Sequence, residues 1–374
     1  MTVGSKIFKS AIIILTAILS VSCIYDEDIH PVNRVILVYL GGDNSLSDEV
    51  YEKIEAIRVG WDKENKGKLL IYNDPSGASP QLIEICTCHK GNPIKEIIHT
   101  YGEENSADSK VFGRVINEVR TIYPASSYGL ILFSHASGWL PQETLKNPKS
   151  ILIDNKREMD ITDFADAIPE NYFDFIIFEA CFMAGIEVAY ELKDKADYIL
   201  VSSAEIVSPG FTEIYKQSAI SYLYESPVNL KGFAQSAFNY FNSQSGFLNS
   251  ATLSIIKTSE LDALGNIIKK NYNRDNTVDI NTIQHFDRYT YHLFFDFEDY
   301  FSSYLQTDMQ RQELSEAINS CIIYKAATFL FMDGYNGFEI KKHSGLTTYI
   351  QQEQFPYLNT EYQKLKWYKK ISEN

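Results

Sequence analysis

Two hydrophobic runs in the sequence each end close to a side chain that could take part in nucleophilic catalysis. The first run, residues 128–133, is followed by His135, and the second, residues 173–179, is followed by Cys181. A thiol beside an imidazole can act as a nucleophile, because the imidazole takes up the thiol proton and can later protonate a leaving group. If the fold brings them together, these two residues form the reactive pair of a cysteine hydrolase.

Both runs are rich in Ile, Leu and Phe, which is typical of strands buried on both faces of a parallel sheet. Ligands and catalytic groups collect beyond the carboxyl ends of such strands, which is where His135 and Cys181 fall. We expect Cys181 at the start of a helix that contains residues 186–192, whose terminal N–H groups would favour a thiolate. The alternative is that Cys181 is a small buried side chain and His135 a hydrogen-bonded structural histidine.

Strands and helices alternate from residue 33 to residue 215, which predicts an α/β core with a mainly parallel, doubly wound sheet. Ser45 and Asp48 have the spacing of a capping box at the start of the first helix. From residue 216 the pattern changes to longer helical stretches, such as residues 312–327. We therefore predict a core over 33–215 and a helical C-terminal subdomain over 216–374, with a late strand at about 345–351 returning to the core.

The N-terminal segment has the pattern of a bacterial lipoprotein signal. Lys6 and Lys9 precede an apolar run over residues 11–19, which has the length of a signal-peptide core and is too short to span a bilayer. We expect residues 1–22 to be a signal peptide, Cys23 to carry the lipid, and residues 23–32, which include the acidic run Asp26 to Asp28, to form a tether. This predicts an outer-membrane or cell-surface lipoprotein of the bacterial envelope, with ordinary secretion as the alternative.

The composition limits the partners and cofactors. Among 374 residues, 34 Lys and Arg stand against 49 Asp and Glu, for a formal net charge of −15. Nucleic-acid binding depends on cationic contacts to phosphates, so we expect no nucleic-acid partner and membrane contact only through the lipid. Five cysteines are few for a disulfide scaffold. Cys86, Cys88 and His89 could bind a metal, but no second cluster completes four ligands, so no metal is predicted.

Several short segments resemble the clostripain family of cysteine peptidases, which share a fold with caspases, gingipains and legumain. The order and spacing of these segments identify the family more specifically than any single segment does. The segments run through most of the chain after the tether. The matching segments are residues 43–46 (DNSL), 123–125 (YPA), Asp154, 179–184 (EACFMA) with Glu187, 202–205 (SSAE) with 209–210 (PG), and 344–349 (SGLTTY).

The resemblance implies a caspase-like three-layer α/β/α sandwich that hydrolyses peptide bonds in peptide or protein substrates without a cofactor. It makes Cys181 the nucleophile and His135 the general acid and base, and it implies an oxyanion hole formed by the backbone N–H groups of Cys181 and Ala136. Calcium dependence occurs in the family, but no calcium loop is visible in this sequence and none is assigned. Lys146 and Lys149 resemble processing sites in the family's activation loop, with a plain solvated loop as the alternative.

Two positions depart from the family pattern. The residue after the histidine is usually glycine but is Ala136 here, and alanine would be strained at a positive φ. The residue two before the nucleophile is usually an aspartate that binds Arg or Lys at P1, the substrate residue before the scissile bond. Here it is Glu179, which is longer by one methylene. We expect a cysteine endopeptidase that cleaves after Arg or Lys, with a catalytically degenerate, peptide-binding surface lipoprotein as the alternative.

Overall fold

A nine-stranded central sheet organises the chain. The computed structural model describes residues 32–142, 144, 150–155, 157–272 and 278–372. The strands of these ranges are β1 (Val35–Gly42), β2 (Lys68–Pro75), β3 (Gln81–Thr87), β4 (Pro93–Thr100), β5 (Tyr128–Phe133), β6 (Leu152–Asp154), β7 (Arg157–Met159), β8 (Phe173–Glu179), β9 (Ala196–Val201), β10 (Thr252–Lys257), β11 (Phe295–Asp296), β12 (Ile322–Ala327), β13 (Leu330–Phe331), β14 (Phe338–Glu339) and β15 (Thr347–Thr348).

The α-helices follow and separate these strands along the chain. They are α1 (Ser47–Val59), α2 (Ser109–Ile122), α3 (Ile161–Ala167), α4 (Ile186–Glu191), α5 (Thr212–Lys216), α6 (Leu230–Asn242), α7 (Leu261–Asn271), α8 (Phe297–Ser302), α9 (Asp308–Cys321), α10 (Pro356–Tyr362) and α11 (Lys366–Ser372).

The sheet is parallel at its centre and antiparallel at both edges. Its order is β12-β10-β9-β8-β5-β1-β2-β3-β4. The five strands from β9 to β2 run parallel, while β3 and β4 on one side and β10 and β12 on the other are antiparallel to their neighbours. The buried runs that predicted strands in the sequence therefore form the parallel centre, where both faces are covered.

Helices cover both faces of the sheet. Alternate residues of β1 point to opposite layers: Ile36 and Val38 pack in the same cluster as apolar residues of α1, α5 and α6. Leu37 and Tyr39 belong to the other cluster, which contains apolar residues of α2, α3, α4, α7 and α9. This alternation follows from the two-residue period of a strand. The expected three-layer α/β/α sandwich is confirmed.

The segment after residue 215 differs from the helical subdomain expected from the sequence. It contributes β10 and β12 to the central sheet, so the sheet does not end with the 33–215 segment. Helix α9 ends at Cys321 and β12 begins at Ile322, within the stretch 312–327 that reads as one helix in the sequence. The late strand is short, because only residues 347–348 pair, and they pair with β11 and not with the central sheet.

The late segment nevertheless supports the turn that follows β8. The backbone N–H of Thr347 donates to the carbonyl of Ala184 at 2.9 Å. Glu187 accepts hydrogen bonds from the N–H of Tyr349 at 2.8 Å and the hydroxyl of Thr348 at 3.0 Å. Burial raises the pKa of this carboxyl to about 7. The segment at 347–349 therefore fixes the chain just after Cys181.

Helix α1 ends in close contact with α5, and Gly60 makes this approach possible. A Cβ atom at residue 60 would lie 1.8 Å from the carbonyl oxygen of Tyr215. We expect Gly60→Ala to lower the free energy of unfolding by about 2 kcal/mol or more, because the two helices must separate. Urea denaturation measures this change. Gly102→Ala is the matched control, since nothing lies within 4 Å of its Cβ position; equal stability losses in the two variants would contradict the expectation.

Candidate active site

The pairing of β5 with β8 brings His135 and Cys181 to one edge of the sheet. The two strands are parallel, and Phe133 is the register partner of Glu179. His135 and Cys181 each follow two residues later, so they leave the sheet at the same level. Both side chains are partly exposed and line one cavity of about 290 Å³. The structure therefore brings together the two residues that the sequence singled out.

The chain turns sharply directly after Cys181. Phe182 has a φ of 60°, a left-handed conformation that costs a non-glycine residue roughly 1 kcal/mol or more. Its N–H donates to the carbonyl of Ala204 at 3.0 Å, and its ring stacks on Phe294 at 4.5 Å. The N–H of Ile206 donates to the Cys181 sulfur at 3.4 Å. These contacts hold the thiol beside the loop that follows β9.

The expectation that Cys181 begins a helix is wrong. Helix α4 starts at Ile186 with Gly185 as its N-cap, and residues 181–184 form a turn. The dipole of a helix acts mainly within its first turn, and α4 has only 6 residues. A helix dipole therefore does not support a thiolate at Cys181, and the donor that the structure places on the sulfur is the Ile206 N–H.

Ser45 contacts the imidazole of His135. The Ser45 hydroxyl lies 2.9 Å from Nε2 of His135. The adjacent Asn44 side chain donates to the carbonyls of Gly41 and Ile153 and accepts from the N–H of Leu46, which fixes the loop that carries Ser45. The capping box expected from Ser45 is wrong, because Leu46 is the N-cap of α1 and makes no side-chain cap. The hydroxyl orients the imidazole instead.

Ala136 does not adopt the left-handed conformation that would strain it. Near the cavity, φ is positive at Gly138, Phe182 and Gly210 but not at Ala136. Ala136 is buried, and within the described ranges its N–H has no backbone hydrogen-bond acceptor. The alanine is therefore compatible with a backbone donor directed at a substrate oxygen.

Glu179 lies under the cavity, but its carboxylate is buried and bonded within the protein. Lys53 of α1 reaches its Oε1 at 2.5 Å, and neither side chain is exposed to solvent. The N–H of Phe211 donates to the same oxygen at 2.6 Å, and the hydroxyl of Tyr215 donates to Oε2 at 2.8 Å. Burial raises the pKa of Tyr215 well above its ordinary value, so this hydroxyl keeps its proton.

Lys53 and Ser45 are the site residues that the sequence analysis missed. Lys53 lies on the apolar face of α1 with Val50, Ile54 and Ile57, and a lysine at such a position signals a buried partner. Its partner, 126 residues away, can be identified only from the fold. Arg288 is a third such residue: it forms a two-pronged ion pair with Glu205 at the edge of the cavity, at 2.7 and 2.8 Å.

The other predicted site residues fall outside the described ranges or lack a metal-binding arrangement. Cys23, Lys146 and Lys149 lie outside the described residues. In the ranges that the structure describes, no group of three or more His, Cys, Asp and Glu side chains is arranged to hold a metal ion.

We expect loss of the Ser45 hydroxyl, which contacts the His135 imidazole, to lower the reactivity of the Cys181 thiol. We expect iodoacetamide to alkylate Cys181 about fivefold more slowly in Ser45→Ala at pH 6, since one hydrogen bond contributes about 1 kcal/mol. At pH 9.5 the rates should converge, because an ordinary cysteine, with a pKa of about 8.5, is then ionised without help. Peptide mass spectrometry measures the rate at Cys181.

The matched control is Ser208→Ala, whose hydroxyl lies in the same cavity but donates to Glu49 at 3.0 Å. This variant should leave the alkylation profile unchanged. An equal slowing of Ser45→Ala at both pH values would mean that Ser45 does not act through the imidazole.

Comparison with known proteins identifies the family. The model of the clostripain family, Peptidase_C11, matches residues 38–374. Clostripain of Hathewaya histolytica is 24% identical over an alignment of 209 residues, and the match covers 47% of this chain and 40% of that protein, which is less than half of this curated relative. A solved structure of an inactive zymogen C11 protease from Parabacteroides distasonis is 33% identical, covers 92% of this chain and 99% of its own, and superposes with a TM-score of 0.81.

A second solved structure is a secreted C11 cysteine protease from Bacteroides thetaiotaomicron in complex with an irreversible peptide inhibitor. It is 26% identical, covers 91% of this chain and 99% of its own, and has a TM-score of 0.80. The family match extends over nearly all of the described residues, and both structures share the whole sandwich. This chain belongs to the clostripain family of cysteine peptidases.

Proposed function

We propose that this chain is a cysteine endopeptidase in which Cys181 is the nucleophile and His135 the general acid and base. The proposal rests on where the thiol and the imidazole lie. Phe133 of β5 pairs with Glu179 of β8, His135 and Cys181 each follow two residues later, and both line one cavity. Membership of the clostripain family supports the same chemistry.

In the proposed reaction, the Cys181 thiolate attacks the carbonyl carbon of the scissile peptide bond. The negative charge that develops on the carbonyl oxygen is stabilised by the N–H groups of Cys181 and Ala136, each worth about 3 kcal/mol in comparable hydrolases. His135 protonates the leaving amine, and a thioester remains. His135 then takes a proton from water, which hydrolyses the thioester and regenerates the thiol.

The alternative of a degenerate peptide-binding protein loses one of its two arguments. One argument for it is Ala136 in place of glycine, but Ala136 has no positive φ and so bears no such strain. The other argument, Glu179, concerns which substrates bind and not whether the thiol reacts. Cleavage after Arg or Lys would require this carboxylate to bind the P1 side chain of the substrate. Because Lys53 pairs with it, we do not extend the family's basic preference to this chain.

We also propose that the chain is exported and carries a lipid on Cys23. The proposal rests on the charged, apolar and small-residue pattern of residues 1–22 and on the acidic stretch after Cys23. A secreted relative is compatible with export. In the described part of the chain, no helix has the length and apolar character needed to cross a bilayer. Cleavage at Lys146 or Lys149 stays a prediction from the sequence.

Replacement of either reactive residue should abolish peptide cleavage. We expect Cys181→Ala and His135→Ala to lower kcat/KM for fluorogenic peptides by about 10⁴-fold, as for other catalytic dyads and triads. The assay uses peptides with basic and with neutral P1 residues, before and after limited trypsin treatment, because Lys146 and Lys149 are the predicted processing sites.

Cys321→Ala is the matched control for the thiol, since burial raises the pKa of Cys321 to about 12 and keeps it unreactive. It should retain activity. A wild-type protein that binds these peptides but cleaves none of them would favour the degenerate alternative.

Lipidation should depend on Cys23. In a bacterial host fed an alkyne analogue of palmitate, we expect the wild-type chain to acquire the label and Cys23→Ser to lack it and to leave the membrane fraction. Gel fluorescence after coupling to a dye measures the label. Unlabelled wild-type protein that is recovered from the medium would support ordinary secretion instead.

A further inference from the structure

The carboxylate of Glu179 is directed into the protein and not into the cavity that would receive a substrate side chain. Its two oxygens accept hydrogen bonds from Lys53, Tyr215 and the N–H of Phe211. The extra methylene of glutamate carries the carboxylate under Gly210, where a Cβ atom would lie 2.3 Å from Oε1. The glycine leaves room for this arrangement, and its φ of 63° is unfavourable for other residues.

Lys53 neutralises this carboxylate at the floor of the cavity. Its ammonium lies 2.5 Å from Glu179 and 2.9 Å from the hydroxyl of Thr212, and 4.3 Å from the centre of the Phe133 ring. Both side chains of the pair are fully buried. A buried charge that loses its partner is strongly unfavourable, so neither member is available to a substrate unless the other is left unpaired.

The other two carboxylates that line the cavity, Glu205 and Glu49, do not take over from Glu179 as partners for a basic substrate side chain. Glu205 is held at both oxygens by Arg288. Glu49 is half-buried and accepts from Ser208 at 3.0 Å, and a partly solvated carboxylate of this kind contributes little to ion pairing. The walls are mainly apolar and include Leu46, Phe133, Ile206, Val207 and Met332.

We propose that Lys53 is a specificity-determining residue that makes this pocket select an uncharged, mainly apolar P1 side chain. The inference rests on the proposed endopeptidase function and specifies the substrate of the same site. An Arg or Lys side chain would lose its hydration and would meet the partly solvated Glu49 but no buried carboxylate free to pair with it, whereas an apolar side chain gains from burial against the apolar walls. The preference thus arises from rejection of cations as well as attraction of apolar groups.

The primary test is a set of fluorogenic peptides that differ only at P1, with Leu, Met, Gln, Lys and Arg. For the wild-type protein we expect kcat/KM for Leu or Met to exceed that for Lys and Arg by at least tenfold. The same selectivity predicts that purified protein incubated alone stays uncut at Lys146 and Lys149, which intact-mass spectrometry detects; cleavage there would then require a second protease with basic specificity.

Variants of the ion pair test its role. Lys53→Met should leave Glu179 without its cation. A basic P1 side chain can then supply the positive charge, so we expect the ratio of kcat/KM for Arg to that for Leu to rise at least tenfold. The double variant Lys53→Met with Glu179→Gln removes both buried charges and should fold even if the single variant does not. It should keep the wild-type preference for apolar P1 residues. Lys63→Met, at an exposed lysine just beyond α1, is the matched control.

The outcomes separate this inference from the proposed function. Wild-type protein that cleaves after Arg or Lys at least tenfold better than after Leu or Met, and loses that preference in Glu179→Gln, would overturn the inference and leave the endopeptidase assignment intact. Absence of cleavage with every P1 residue, together with no labelling of Cys181 by a peptidyl chloromethyl ketone, would overturn both. An unchanged Arg-to-Leu ratio in a folded Lys53→Met protein would also overturn the role of Lys53.

Discussion

The register between β5 and β8 is the constraint on which the site depends. A shift of one residue would turn every side chain of one strand to the other face and would separate the loops that follow. The register is secured along the whole pairing, from Gly129 with Phe175 to Phe133 with Glu179, and helices cover both faces. Beyond the strands, the turn at Phe182 is held by Ala204 of the neighbouring loop. The reactive geometry is thus a property of the sheet more than of any contact between the two reactive groups.

This dependence explains which features the sequence could predict. Strands buried on both faces leave continuous apolar runs, so the parallel centre of the sheet and the residues at its edge could be predicted from short segments. Strand β12 could not, because it follows α9 without a turn residue and pairs antiparallel with β10, about seventy residues earlier. Its identity as a strand is imposed by that distant partner. Propensity is a weak guide when tertiary pairing decides the outcome.

Ser45 and Lys53, two of the site residues that the sequence analysis missed, show the same limit for side chains. Ser45 has the type and spacing of a helix cap, and a hydroxyl there can either accept from a helix N–H group or bond to a different partner. The fold brings His135 within 2.9 Å of it, and the helix begins without a side-chain cap. For Lys53, its place on the apolar face of α1 indicates that a buried counter-ion exists. Which of the many carboxylates provides it depends on the packing of α1 against α5 and the end of β8.

The ion pair of Lys53 and Glu179 also bears on how specificity can change within such a fold. A carboxylate two residues before the nucleophile is well placed to bind a basic substrate, but only while its charge is not compensated from within the protein. Here a helix that is distant in sequence supplies the compensating charge, and the longer side chain at 179 lets the carboxylate reach it beneath Gly210. Pocket charge is therefore set jointly by α1, β8 and the loop before α5. The residue at 179 alone does not determine it, because the same carboxylate cannot satisfy a buried lysine and a substrate cation together.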